Sequence, residues 1–137
     1  MLFRSALAQA GTPCSYTLSP NTLAVAFGGT NSSVTVTTPL GCPWSASTTN
    51  SWITLTGDTS GTSTLAVTYA VGANPTALVR TGTIVIGGRV LTVTQDGAPC
   101  TFAVMPTNWV HRAGSDTGLV MVTSLVGCTW TVSNANS

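Results

Sequence analysis

The chain has 137 residues, only 5% of them charged, and four arginines against three aspartates give it a formal net charge of +1. Singly scattered arginines with no lysine make no basic stripe for nucleic acid, and no apolar run is long enough to span a bilayer. The solvated surface must therefore be hydroxyl and amide: Ser and Thr number 40, most of them alternating with Val, Leu, Ile or Ala, which is the pattern of half-buried antiparallel strands in an all-β fold.

In chain order, the amino end reads MLFRSALAQAG, with an apolar segment too short for an ordinary signal peptide. Its last residues also match a later stretch, since Ala8 to Cys14 (AQAGTPC) resembles Thr94 to Cys100 (TQDGAPC), so residues 1–12 read either as a leader remnant or as the tail of an upstream repeat. Turn residues then punctuate short alternating runs, predicting strands near 14–18, 23–27, 33–38, 43–48, 52–56, 64–71, 81–86 and 89–95. Gly87-Gly88 joins the last two as a tight hairpin, because both turn residues tolerate positive φ. Asn31-Ser32, Asp58 to Thr62 and Gly72 to Thr76 read as loops, Pro20, Pro39, Pro43 and Pro75 sit where a missing amide donor costs little, and no stretch has helical periodicity.

Sliding the chain on itself by 86 residues aligns Gly11–Ser51 with Gly97–Ser137, and 14 of these 41 positions are identical. They include Pro20 with Pro106, Gly28 with Gly114, and Gly41, Cys42 and Trp44 with Gly127, Cys128 and Trp130. Residues 13–97 thus read as a complete sandwich repeat and 98–137 as the amino-terminal half of a second. A half sandwich lacks an opposing sheet, so that half requires either a continuation of the chain or strands lent by a neighbouring chain. The four cysteines, Cys14, Cys42, Cys100 and Cys128, form two pairs with the same spacing of 28. In so charge-poor a chain this suggests an oxidising, extracellular compartment with Cys14 bonded to Cys42 and Cys100 to Cys128. Buried free thiols are the competing reading. A four-cysteine metal site lacks the short C-x-x-C pairs it would need.

Several further elements sit in a fixed order: Cys14-Ser15-Tyr16, Gly41-Cys42-Pro43-Trp44, Trp52-Ile53, a glycine-rich loop from Gly57 to Gly61, Val67-Thr68-Tyr69-Ala70-Val71, Asn74, Arg80-Thr81-Gly82-Thr83-Ile84-Val85-Ile86 and Thr92-Val93-Thr94-Gln95. In this order the sequence resembles the BACON family of extracellular modules. The resemblance implies an immunoglobulin-like antiparallel β-sandwich in tandem copies, set among neighbouring repeats or beside glycan-degrading enzymes, with carbohydrate or mucin as the proposed partner.

Trp44 lies two residues after Cys42, so the two side chains share a strand face and the indole is expected in the core. Ile53 and Leu55 alternate away from Trp52, which places the Trp52 indole outward or in an edge groove, where an aromatic platform meets the C–H face of a pyranose. Arg80 and Asn74, both in the family pattern, complete the candidate carbohydrate site. The residue-level alternative is structural: Asn74 as turn chemistry and Arg80 bracing the turn through carbonyls. Tyr69 shares a face with Leu65, Val67 and Val71 and is expected buried with its hydroxyl at the rim. Glycosidase chemistry needs two facing carboxyl groups, whereas Asp58, Asp96 and Asp116 lie on separate segments. The one histidine, His111, aligns with Val25 and is expected on a strand surface, not in a nucleophile triad. Asp58-Thr59-Ser60 is a carboxylate short of a calcium site, and Asn31-Ser32-Ser33 is a formal glycosylation sequon. These readings imply no cofactor and no enzyme. They leave a non-catalytic module that binds carbohydrate weakly or acts as a spacer, and as an alternative a structural subunit self-associating through residues 98–137.

Overall fold

The computed structural model describes residues 12–136. The two readings of the amino-terminal segment therefore fall, Thr12 apart, outside the described residues. These residues form only strands, turns and irregular segments, with no helix.

Two sheets enclose one core. The first holds, in spatial order, β1 (Thr17–Ser19), β3 (Thr30–Thr37), β7 (Leu65–Val71) and β5 (Ile53–Leu55). The second holds β2 (Thr22–Val25), β9 (Arg89–Gln95), β8 (Arg80–Ile86), β4 (Trp44–Ser47) and β6 (Ser60–Gly61). Every pairing is antiparallel except that of β2 with β9, which is parallel with Thr22 opposite Thr92. Pro20 and Asn21 carry the chain from one sheet to the other between β1 and β2, and the missing proline N–H leaves no ladder bond unmade there.

Alternation within the strands decides what is buried. Val34, Val36, Val67 and Tyr69 of the first sheet face Ile84, Ile86, Leu91 and Val93 of the second, and all eight are fully buried. Each such side chain contributes roughly 1.5–3 kcal/mol relative to staying exposed. The intervening residues are mostly threonines and serines, which keeps the outer faces wet without charge. All eight predicted strands form, with ends shifted by up to three residues, as β1–β5 and β7–β9. The additional strand β6 lies in the segment read as a loop, where Gly61 pairs with Trp44 and Ser60 with Ser45. A Cβ at Gly61 would lie 2.7 Å from the Trp44 ring, so the glycine makes room for the indole. Trp44 is in the core as expected, its Nε1 donating to the Ser63 carbonyl at 2.8 Å.

The hairpin at Gly87-Gly88 also forms, with φ of +56° and +78°. Tyr69 departs from expectation: its hydroxyl is buried without a partner among the described residues, because the core closes over the end of the ring. Both disulfides are made, Cys14–Cys42 with Cα atoms 5.4 Å apart and Cys100–Cys128 with 5.7 Å, so neither free thiols nor a cysteine metal site applies.

Beyond the sandwich, β10 (Phe102–Met105) and β11 (Met121–Ser124) form an antiparallel pair. Ala103, Val104 and Met105 face Thr123, Val122 and Met121, just as Thr17, Leu18 and Ser19 face Thr37, Val36 and Thr35. The two registers differ by the same shift of 86 that aligns the sequences. Ala77 N donates to the Val126 carbonyl at 2.8 Å, tying this hairpin to the sandwich. His111, expected on a strand, lies outside any strand and pairs its Nδ1 with Asp116 at 3.2 Å on the surface, since no counterpart of β2 forms around it.

Candidate functional site

Trp52, Asn74 and Arg80 come together at one end of the sandwich, where the chain crosses between sheets. After β4 pairs with β8 only at Ala46 and Ser47, the segment 48–50 leaves the second sheet, and its side chains continue the ladder in place of backbone. Thr48 Oγ1 donates to the Thr83 carbonyl at 2.7 Å, and Asn50 Oδ1 accepts from Thr83 N at 2.9 Å. Trp52 follows in the turn before β5. Its carbonyl accepts from Gly72 N at 2.8 Å, and its ring lies over Gly82, where a Cβ would approach to 2.7 Å. Gly82 occupies an inward position of β8, so the half-buried indole fills the place its missing side chain leaves and covers the end of the core.

The indole has a second partner. The Arg80 guanidinium carbon stands 4.2 Å from the ring centroid, within cation–π range. Arg80 Nε donates to Gln95 Oε1 at 2.8 Å, and Nη2 donates to the Gly72 and Ala73 carbonyls at 3.0 and 2.9 Å. Gln95 is fully buried, and its Nε2 reaches the carbonyls of Ala26, Phe27 and Gly72 at 3.0–3.2 Å. Burial lowers the Arg80 pKa from its ordinary value. Arginine remains charged at any physiological pH, and the carbonyl and amide oxygens around it supply the acceptors that the guanidinium needs.

Asn74 is 2% exposed and completes the closure. Its Nδ2 donates to the carbonyls of Leu78 and Asp96 at 2.7 and 3.0 Å, while Oδ1 accepts from Thr76 N and Thr76 Oγ1 at 3.1 and 2.9 Å. Each amide hydrogen and each lone pair thus has a partner, and the side chain has nothing left to offer a sugar hydroxyl. The structure therefore places the three candidate residues at one end of the sandwich, yet Trp52 and Arg80 engage each other, Arg80 also holds Gly72, Ala73 and Gln95, and Asn74 bonds to Thr76, Leu78 and Asp96. Arg80 acts as the brace that the residue-level reading described. Gln95, which sequence reasoning placed only within a closing strand, is the hub. Its signal was a lone amide at an inward position of β9, below Leu91 and Val93.

A second concavity, of about 420 Å3, lies at the opposite edge between β1 and β9, with Tyr16, Asn21 and Arg89 among its walls. Sequence reasoning did not single it out. The three aspartates remain on separate segments, and no cluster of three or more metal-ligating side chains occurs among the described residues. No helix there is long and apolar enough to cross a membrane.

No curated protein sequence matches the chain. Among solved structures, a Bacteroides ovatus GH5 xyloglucanase in complex with a XXXG heptasaccharide is similar, with a TM-score of 0.54 and 22% identity. The similarity covers 63% of this chain and 19% of that one, and at this identity it speaks to the fold alone. The BACON family, described as "Putative binding domain, N-terminal", matches residues 43–96. That span runs from the start of β4 to the end of β9 and contains Trp52, Asn74, Arg80 and Gln95. Residues 43–96 are therefore similar to the BACON family, and the residues of that pattern close one end of a β-sandwich.

Proposed function

We propose that residues 13–97 are an immunoglobulin-like, non-catalytic module of a larger secreted or surface protein, one that contacts carbohydrate weakly and otherwise serves as a spacer between domains. The match of β4–β9 to a family of binding domains carries this reading. Supporting it are two disulfides, outer faces of Ser and Thr, and the passage of the first strands from one sheet to the other, with β2 lying parallel to the last strand β9. The internal closure of the Trp52 cluster favours a rigid body and moves any glycan contact to other surfaces. The reading of 98–137 as part of a second repeat is supported by the disulfide spacing of 28 and the register shift of 86. A panel of neutral and acidic oligosaccharides titrated into the intact chain tests the proposal: weak saturable binding supports the lectin role, and absence of binding throughout removes it and leaves the spacer.

A second reading, self-association, is favoured by one observation. At the outward positions where the first copy has Ser19, Ser33 and Thr35, the second has Met105, Leu119 and Met121. With Pro106 and Trp109 they line an apolar groove of about 450 Å3. A contiguous exposed apolar surface of this kind fits burial against a second copy of the chain. Sedimentation velocity decides the matter: a concentration-dependent dimer abolished by joint Met105→Ser and Met121→Thr substitution is expected, and a monomer at all concentrations contradicts it.

A further inference from the structure

The groove between β1 and β9 has a cause in the sheet registers. β2 runs beside β9 only from Thr92 to Gln95, so the first half of β9, Arg89 to Leu91, has no strand on that side. β1 is paired into the other sheet and stands across the gap. Because Thr92 N donates outward to the Asn21 carbonyl at 3.1 Å, backbone alternation turns the N–H and C=O of Val90 the same way, into the groove. An unpaired peptide edge at the floor of a concavity suits alternating donors and acceptors such as sugar hydroxyls.

The walls are held in place. Tyr16 Oη donates to the Pro43 carbonyl at 2.6 Å, and the ring packs so tightly on Gly87 that a Cβ there would lie 2.8 Å away. Arg89 Nε donates to the Tyr16 carbonyl at 2.8 Å, which fixes the guanidinium beside the ring while Nη1 and Nη2 have no partner among the described residues. Asn21 has an equally unengaged carboxamide among the described residues. No aspartate lines the groove, and the one ion pair among the described residues, His111 with Asp116, is elsewhere. A guanidinium anchored through Nε, with both terminal amino groups free and no counter-ion among the described residues, is the fork that receives a carboxylate through two parallel bonds. The volume of about 420 Å3 lies within the range of small-ligand sites.

We propose that this groove is a subsite for a sugar bearing a carboxylate, with Arg89 receiving the carboxylate, Tyr16 walling the pyranose, and Asn21 and the Val90 backbone taking hydroxyls. The proposal rests on the carbohydrate-binding reading and adds to it a location and a charge class. Sialic and uronic acids share the required chemistry, and separate probes distinguish them.

The test titrates the intact chain with sialyllactose, a galacturonate trimer and lactose. One of the two acidic probes is expected to bind about tenfold or more tighter than lactose, a preference that shrinks as NaCl rises from about 0.05 M to about 0.5 M. Arg89→Gln is expected to erase the preference and Asn21→Ala to weaken both kinds of ligand. Thermal melts of each variant monitor the fold, and the salt dependence of the unmodified chain stands if Arg89→Gln unfolds. Equal affinity for acidic and neutral probes, a preference that ignores salt, or one that survives in a folded Arg89→Gln chain overturns the subsite and leaves carbohydrate binding standing. No binding to any of the three overturns both.

Discussion

The Arg80 guanidinium carbon lies 4.2 Å from the centroid of the Trp52 ring, so the two residues best suited to a sugar platform are stacked on each other. The same guanidinium holds the carbonyls of Gly72 and Ala73 and the amide of Gln95. This arrangement makes stability, in the first instance, the property that their substitution changes.

Arg80→Leu removes three charge-assisted hydrogen bonds and the stack, and strands the Ala73 carbonyl and the Gln95 oxygen, while the Gly72 carbonyl keeps its bond from Gln95. Urea denaturation followed by tryptophan fluorescence should show a loss of about 2–3 kcal/mol. Arg80→Lys should recover only part of it, since an ammonium cannot span the same acceptors as a planar fork.

Gln95→Glu offers Arg80 an ion pair and on that ground alone would stabilise the fold. The opposite is expected. Gln95 Nε2 is the donor to three carbonyls, and a carboxylate would face the same three oxygens with no hydrogen to give, fully buried. Each carbonyl keeps one other donor, Gly29 N, Asn74 N or Arg80 Nη2, so the cost is the repulsion between oxygens and the buried charge, and a loss of about 2 kcal/mol or more at neutral pH is predicted by the same denaturation measurement.

The two hairpin glycines should respond unequally. Both have positive φ, so Ala at either costs roughly 1 kcal/mol of backbone strain. At Gly88 the added methyl meets open space, whereas at Gly87 it meets the Tyr16 ring at 2.8 Å. Gly87→Ala should therefore lower the melting temperature clearly more than Gly88→Ala, and equal effects would mean that Tyr16 does not pack there.

Tyr69→Phe should be neutral or stabilising by up to about 1 kcal/mol, although Tyr69 is at the centre of the core. Its hydroxyl is buried with no partner among the described residues, so removing it relieves a desolvation cost and keeps the ring. A large loss in the denaturation midpoint would reveal a hydrogen bond to that oxygen.

Much of this fold was legible because alternation with period 2 is strong in a chain whose polar faces are threonine and serine. Eight strands, the Gly87-Gly88 hairpin and both disulfides follow from that pattern and from the repeat. Strand β6 was not legible, since Ser60 and Gly61 carry no apolar alternation and pair only because Gly61 admits Trp44. Trp52 was read by extending the Ile53 and Leu55 alternation one residue back, but it lies in a turn, where the strand rule no longer fixes direction. The usable signal was Gly82, a missing side chain at an inward position of β8 that another residue had to fill. The groove at Tyr16 and Arg89 depends on where β2 begins to pair with β9, a register set by tertiary packing across the two sheets.

The most direct test of the account follows the Trp52 indole N–H and the backbone amides by two-dimensional NMR while the intact, isotope-labelled chain is titrated with an oligosaccharide. The account predicts that amides of residues 16–21 and 87–92 move while the Trp52 indole and residues 72–80 stay in place. Shifts centred on Trp52 and Arg80, or no shifts with any acidic or neutral oligosaccharide, would contradict it.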